Sequence, residues 1–241
     1  MTRKSIIRKV ALSLAAVSAC VGLALASAGA PSVSPEDALQ KLMEGNKRFV
    51  ANQSISPKLS DAATRTSLAQ AQKPYAIILA CSDSRVPPEI VFDKGLGEIF
   101  IIRVAGNVPD PISLGSIEYA AVHFGSPLVM VLGHERCGAV QATVDSKGKS
   151  SGSPNIDAIV KAVSPAVKKA ATECDACKGV TKCADSKHDE FVECAIDTNA
   201  KLVAASLTKN SKILKNLVAE KKVKIVAAKY DLDDGTVTLF K

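Results

Sequence analysis

Apolar and polar positions along this chain follow two periods. Near the amino end, "SPEDALQKLMEGNKRFVAN" spaces its apolar side chains three and four apart, the stripe of an amphipathic helix. Ser34 followed by Asp37 supplies it with a capping box. Pro57 and Ser60 open a second, polar helical stretch reaching Gln72. Three apolar runs come next: "YAIILAC", "EIFIIRVAG" and "LVMVLGH". Each is short, bounded by turn or helix signals, and ends in polar residues. Such runs separated by helical stretches predict parallel strands with both faces covered.

Downstream, "SLGSIEYAAVHFG" predicts a helix ending at Gly125, and "SKGKSSGSPN" predicts a loop. "IDAIVKAVSPAVKKA" is helical with a break expected at Pro165. Helices over "EFVECAIDTNAKLVAASLT" and "NSKILKNLVAEKK" lead into "VKIVAAKYD" and "GTVTLF", a strand and a hairpin around "DDG". The reading is one α/β domain over 31–241, with a mostly parallel central β-sheet flanked by helices and an N-terminal helical arm. A Cys-rich insert occupies 174–194. In such sheets, ligands sit beyond the carboxyl ends of the strands.

Residues 1–30 stand apart from that domain. A basic start, "MTRKSIIRK", an apolar stretch and "ASAGA" read as a signal peptide cleaved after Ala28 or Ala30, and hence as export to the periplasm or beyond. "VSAC" also resembles a lipobox, so lipid anchoring at Cys20 is the competing reading. Export removes Arg3, Lys4, Arg8 and Lys9 and lowers the formal charge from +7 to +3. Without a strong basic patch, and with no tryptophan and 4% aromatics, the chain offers little for nucleic acid. The mature chain is expected to contain no transmembrane segment.

The chemistry gathers at strand exits. Cys81, Asp83 and Arg85 follow one apolar run, and "GHERCG" follows another, presenting His134 and Cys137 from one short turn. Two thiols and an imidazole form a Cys₂His set, which suits tetrahedral zinc with a fourth place for water. Asp83 and Arg85, two residues apart, suit an ionic pair that keeps the carboxylate ionised and oriented beside zinc-bound water. An exported protein leaves a Cys81–Cys137 disulfide as the alternative, although that would give Asp83, Arg85 and His134 no shared task. The residues alone point to metal-assisted hydration or hydrolysis of a small uncharged electrophile.

"CSDSRVPPE", "RVAGN", "GSIEYA" and "GHERCGAV", flanked by "ALQKLMEGNKRFV" and "IVAAKYDLDDGTV", resemble the conserved blocks of the beta-class carbonic anhydrases. The resemblance implies one zinc per chain held by Cys81, His134 and Cys137, with Asp83 and Arg85 as the catalytic dyad. It implies Gln72 as the residue orienting substrate, and Phe100, Ala105, Tyr119 and Gly138 around the pocket. Gln72 and Tyr119 would come across a dimer interface. The implied reaction is reversible hydration of carbon dioxide to bicarbonate and a proton by zinc-bound hydroxide, in a homodimer or dimer of dimers. Hydrolysis of carbonyl sulfide or carbon disulfide uses the same ligand set and is the enzymatic alternative. A non-catalytic zinc or thiol-redox protein is the other, though it would need neither Asp83, Arg85 nor Gln72. His123 is a candidate proton shuttle, and His188 a second. "KGLGEIFIIRVAGN" is similar to the members whose aspartate stays off the metal.

The insert departs from the family pattern. In an oxidising compartment Cys174, Cys177, Cys183 and Cys194 allow three disulfide connectivities. Cys174–Cys194 with Cys177–Cys183 is favoured, because the first ties the ends of the insert and the second closes a short loop. A metal knuckle using His188 competes with it.

Overall fold

The computed structural model describes residues 33–175 and 187–241. The leader 1–30 with Cys20, and Cys177 and Cys183 of the insert, lie outside the described residues.

Helix α1 (Pro35–Val50) starts as expected, with Ser34 Oγ accepting the Asp37 N–H at 3.0 Å. It buries Ala38, Leu42, Gly45 and Asn46, one face at helical spacing. A 3₁₀ turn (Ser56–Leu59) precedes α2 (Ala62–Leu68). The helix expected to reach Gln72 therefore stops short. No α2 residue is buried, and the Thr66 and Ser67 hydroxyls bond back to carbonyls of their own turn, so neither packing nor capping extends it.

The chain continues through β1 (Ala76–Ala80), α3 (Pro88–Val91), β2 (Ile99–Arg103), a 3₁₀ turn (Ala105–Asn107), α4 (Pro111–His123) and β3 (Leu128–His134). Helices α5 (Gly138–Ser146), α6 (Pro154–Glu173), α7 (His188–Asn210) and α8 (Lys212–Ala219) precede β4 (Lys224–Tyr230) and β5 (Val237–Leu239). Helices α3 and α5 were not anticipated. Helix α6 runs through Pro165 unbroken. The proline sits on the exposed face, where water can take the carbonyl bond it forgoes, while Val163, Ala166 and Ala170 hold the opposite face in the core.

The five strands lie in the order β2-β1-β3-β4-β5, parallel except for β5. Strand alternation divides the core between the two faces. Ile77, Leu79, Val129 and Val131 pack toward α4, α6 and α7, while Ala76, Ile78, Ala80, Met130 and Leu132 pack toward α1 and α3. Asn46 locks α1 to the second face. Its Nδ2 donates to Val91 O and Gly235 O, and its Oδ1 accepts the Val237 N–H.

Sheet order also positions the site. Strand β2 lies on one side of β1 and β3 on the other, so the chain changes direction across β1. A crevice opens at its carboxyl end, where Cys81 emerges. None of the described helices is long and apolar enough to cross a membrane.

Candidate metal centre

Three donors converge at that crevice. Cys81 follows the last residue of β1, His134 ends β3, and Cys137 caps α5. Their donor atoms all lie within 4.8 Å of one another, and all three residues are buried. Arg136 makes the turn that delivers Cys137, with φ of 49°. That left-handed conformation is costly for a side chain with a Cβ, so surrounding contacts must hold it.

The histidine decides what the cluster can do. His134 is 0% exposed, and its Nδ1–H donates to Glu135 O at 2.8 Å. Nε2 is then a bare lone pair, buried without a hydrogen-bond partner among the described residues. Such a nitrogen is an expensive thing to bury unless something binds it. Beside two sulfurs, it completes the S, N, S donor set that zinc takes, with the second ring nitrogen fixed by a carbonyl as in metal-bound histidines.

Neither sulfur is in a disulfide, which removes the Cys81–Cys137 alternative. The hydrogen bond from the Cys137 thiol draws Cys81 well below its ordinary range, against the effect of burial, with the neighbouring His134 ring and the Gly106 and Asp83 amides assisting. The same contact with Cys81, together with burial, pushes Cys137 above its ordinary range, although the first amides of α5 oppose the rise. Two thiols this close share one proton, and a divalent cation would allow both to ionise.

Around the donors stands a rigid polar shell. Arg85 donates to Asp83 from Nε (2.9 Å) and Nη2 (2.7 Å), one bond to each carboxylate oxygen, and its backbone N–H adds a third at 2.9 Å. These bonds hold the Asp83 carboxyl well below the usual carboxylate range. Asp83 Oδ2 lies 3.9 Å from His134 Nε2, so the carboxylate faces the position where the three donors meet. Arg103, which the sequence reading gave no role, closes the back of the turn. Its guanidinium donates to the carbonyls of Cys81 and Asp83. An arginine at the end of an apolar strand was the available signal.

Of the expected pocket residues, two are here. Ala105 adjoins Gly106, whose N–H donates to Cys81 Sγ at 3.4 Å. Gly138 follows Cys137, and a Cβ there would meet nothing within 4 Å, so it borders open space.

The others lie elsewhere in the chain. Phe100 stands in register with Ile77, four residues before Cys81, roughly 13 Å along the strand. It packs on Phe124, which in turn meets Tyr119 edge-on, and Tyr119 stacks on His123 at 4.4 Å. His123 ends α4 just before β3 begins, whereas His134 lies at the far end of that strand. Gln72 is exposed ahead of β1. Within one chain, therefore, Phe100 and His123 lie apart from the donors' cleft. Parallel pairing sets all these residues at the amino end of the strands and the donors at the carboxyl end.

His188 is held between Asp145 (2.8 Å) and Asp189 (3.1 Å), which raise its pKa and occupy both ring nitrogens. It is thus engaged by carboxylates, while Cys177 and Cys183, the other residues of the metal-knuckle alternative, lie outside the described residues. Cys174 and Cys194 form a disulfide, the pairing favoured from the sequence.

Comparison with known proteins agrees with this arrangement. The family model for carbonic anhydrase matches residues 76–237. A carbonic anhydrase of Mycolicibacterium smegmatis is 38% identical over 210 residues, covering 87% of this chain and 95% of that protein. A Coccomyxa beta-carbonic anhydrase solved with acetazolamide superposes with a TM-score of 0.65 at 23% identity, covering 84% of this chain and 86% of that one. Tetrameric beta-carbonic anhydrases of Sordaria macrospora give 0.63 at 19% identity, covering 85% and 97%. Those two structures share the fold, the mycobacterial relative shares the sequence along nearly its whole length, and the chain accordingly belongs to the beta-class carbonic anhydrase family.

Proposed function

We propose that this protein is an exported zinc enzyme that interconverts carbon dioxide and bicarbonate. The observation carrying the reading is the buried, unpartnered Nε2 of His134 between two thiols, faced by an anchored carboxylate. Cys81, His134 and Cys137 would hold zinc, which when bound brings the pKa of water toward neutrality and so supplies a hydroxide nucleophile at ordinary pH.

The remaining work belongs to side chains. Asp83 is held too acidic to keep a proton, so it acts as a fixed acceptor that aims the nucleophile's remaining hydrogen and lone pair. Arg85 bonds to both Asp83 oxygens and fixes the carboxylate beside the donors, with both oxygens already engaged, the arrangement of a site that stays open. Ala105 and Gly138 leave room for a small linear substrate.

Completion of the cleft is assigned to a second copy of the chain. Tyr119 is 50% exposed and Ile112 80%, and a concavity of about 440 Å³ runs beside Tyr119, His123 and Ile213. Strand β2 is a sheet edge. Pairing through this face would bring Gln72, Tyr119 and Phe100 to the partner's donors. Export is supported by the Cys174–Cys194 disulfide, which is stable in an oxidising compartment.

Stopped-flow hydration by the processed protein, with zinc quantified, tests the reading. One zinc per chain and a rate rising with pH through a single ionisation are expected. Full zinc with no hydration at any pH overturns it and directs the assay to carbonyl sulfide and carbon disulfide.

A further inference from the structure

Helix α7 reaches both cysteine donors from behind. Near its start, Glu193 Oε1 accepts the backbone N–H of Arg136 at 2.7 Å. That amide belongs to the left-handed residue immediately before Cys137. Six residues further along, buried Asn199 donates from Nδ2 to Gly106 O at 2.8 Å. Gly106, with φ of 72°, is the residue whose own N–H reaches Cys81 Sγ. One helix therefore restrains the backbone beside each sulfur.

The helix is itself firmly seated. Gly133, next to His134, lets α7 pack directly on β3, because a Cβ there would meet Ala200 Cβ at 3.3 Å. Lys229 of β4, in register with Gly133, grips Glu193 at 2.6 Å and Asp197 at 3.2 Å. Cys194, the neighbour of Glu193, is bonded to Cys174 just beyond α6. The glutamate thus sits at the crosslinked end of the helix, between a lysine that orients it and the turn that it holds.

We propose that Glu193 and Asn199 are positioning residues of the metal centre. Helix α7 fixes the separation of the two sulfur donors, and the disulfide braces the end that carries Glu193. This rests on the zinc reading above. Neither residue touches the donors; each acts through one backbone group, Arg136 N or Gly106 O. Removing such outer partners costs about ten- to a hundredfold in metal affinity where measured. The rate of zinc loss is the direct readout.

The experiment is transfer of zinc from the loaded full-length protein to a chromophoric chelator, beside the denaturant midpoint of each metal-free protein. Glu193→Ala is expected to release zinc about ten- to a hundredfold faster than the parent. Glu193→Gln keeps an oxygen to accept the Arg136 N–H, and is expected to stay near the parent rate although its ion pair with Lys229 is gone. Asn199→Ala, if it folds, accelerates release as well; if it does not, the Glu193 pair alone decides. Release at the parent rate from Glu193→Ala, whatever its stability, overturns the proposal. So does equally fast release from Glu193→Gln, which would assign the effect to charge. A parent protein that takes up no stoichiometric zinc overturns the metal reading itself, a result distinct from either.

Discussion

Replacing Arg85 by leucine asks whether this residue works solely by holding Asp83. The substitution removes two charge-assisted bonds to Asp83, of 2.9 and 2.7 Å, and a longer one of 3.4 Å to Arg136 O, and leaves the backbone N–H bond to Asp83 in place. Fully protected bonds of that kind are each worth about 1.5–3 kcal/mol, but the Arg85 side chain is 52% exposed and exposed pairs give about 0.2–1. Together they come to about 1–2 kcal/mol, or roughly five- to thirtyfold in kcat/KM. Without Arg85 the Asp83 pKa rises only toward the ordinary carboxylate value near 3.9, so the residue stays ionised at neutral pH. The loss should therefore be of orientation, and equal at pH 6 and pH 9. Stopped-flow kinetics on Arg85→Leu, Asp83→Asn and the double variant form the cycle, with zinc content checked for each. If Arg85 acts through Asp83, the double variant is no slower than Asp83→Asn alone. Additive losses, or a loss that grows on the acid side, would refute the reasoning.

Three further outcomes are expected. Asp93 is fully buried, and although burial works to raise its pKa, Arg48 and the Ser56 and Ile55 amides lower it. Asp93→Ala should therefore cost about 3 kcal/mol in urea unfolding at pH 7. Because its folded pKa is depressed, that contribution is fully present above the unfolded value near 3.9 and is lost as pH falls from there through the lower folded value; an unchanged parent-variant gap well below pH 3 would contradict the assignment. Paired serine substitutions at Cys174 and Cys194, which close a separation of 20 residues, should lower stability by about 3 kcal/mol, and a change under about 1 kcal/mol in denaturant midpoints would show that the crosslink restrains little. Stripping zinc should lower the melting temperature and re-addition restore it, since the metal binds the folded donors; identical melting with and without zinc would argue against a site at His134.

Much of the fold was legible because its elements carry strong local patterns. The stripe of α1, the three apolar runs and the aspartate-glycine turn of the final hairpin each state their structure within a short window. Helix α5 was not legible in the same way: it spans only nine residues, opens on a glycine and has no side-chain cap to mark its start. Its start is what places that cysteine at a helix amino end. Pro165 misled because a proline's cost depends on whether its side of the helix meets water, which is a property of packing.

The sequence by itself determined the donors. Cys81, His134 and Cys137 had to lie at strand exits, since a run of buried apolar residues ends where polar ones begin, and the parallel sheet brings those exits to one edge. Asp83 and Arg85 could be paired from their spacing alone. Only the tertiary structure decided the rest. It left His134 Nε2 without a partner, separated Phe100 and His123 from the donors by the length of a strand, and brought Glu193 and Asn199 of a distant helix behind the two sulfurs. Those relations join residues from 11 to 93 positions apart. They are set by strand order and helix packing, which no local pattern encodes.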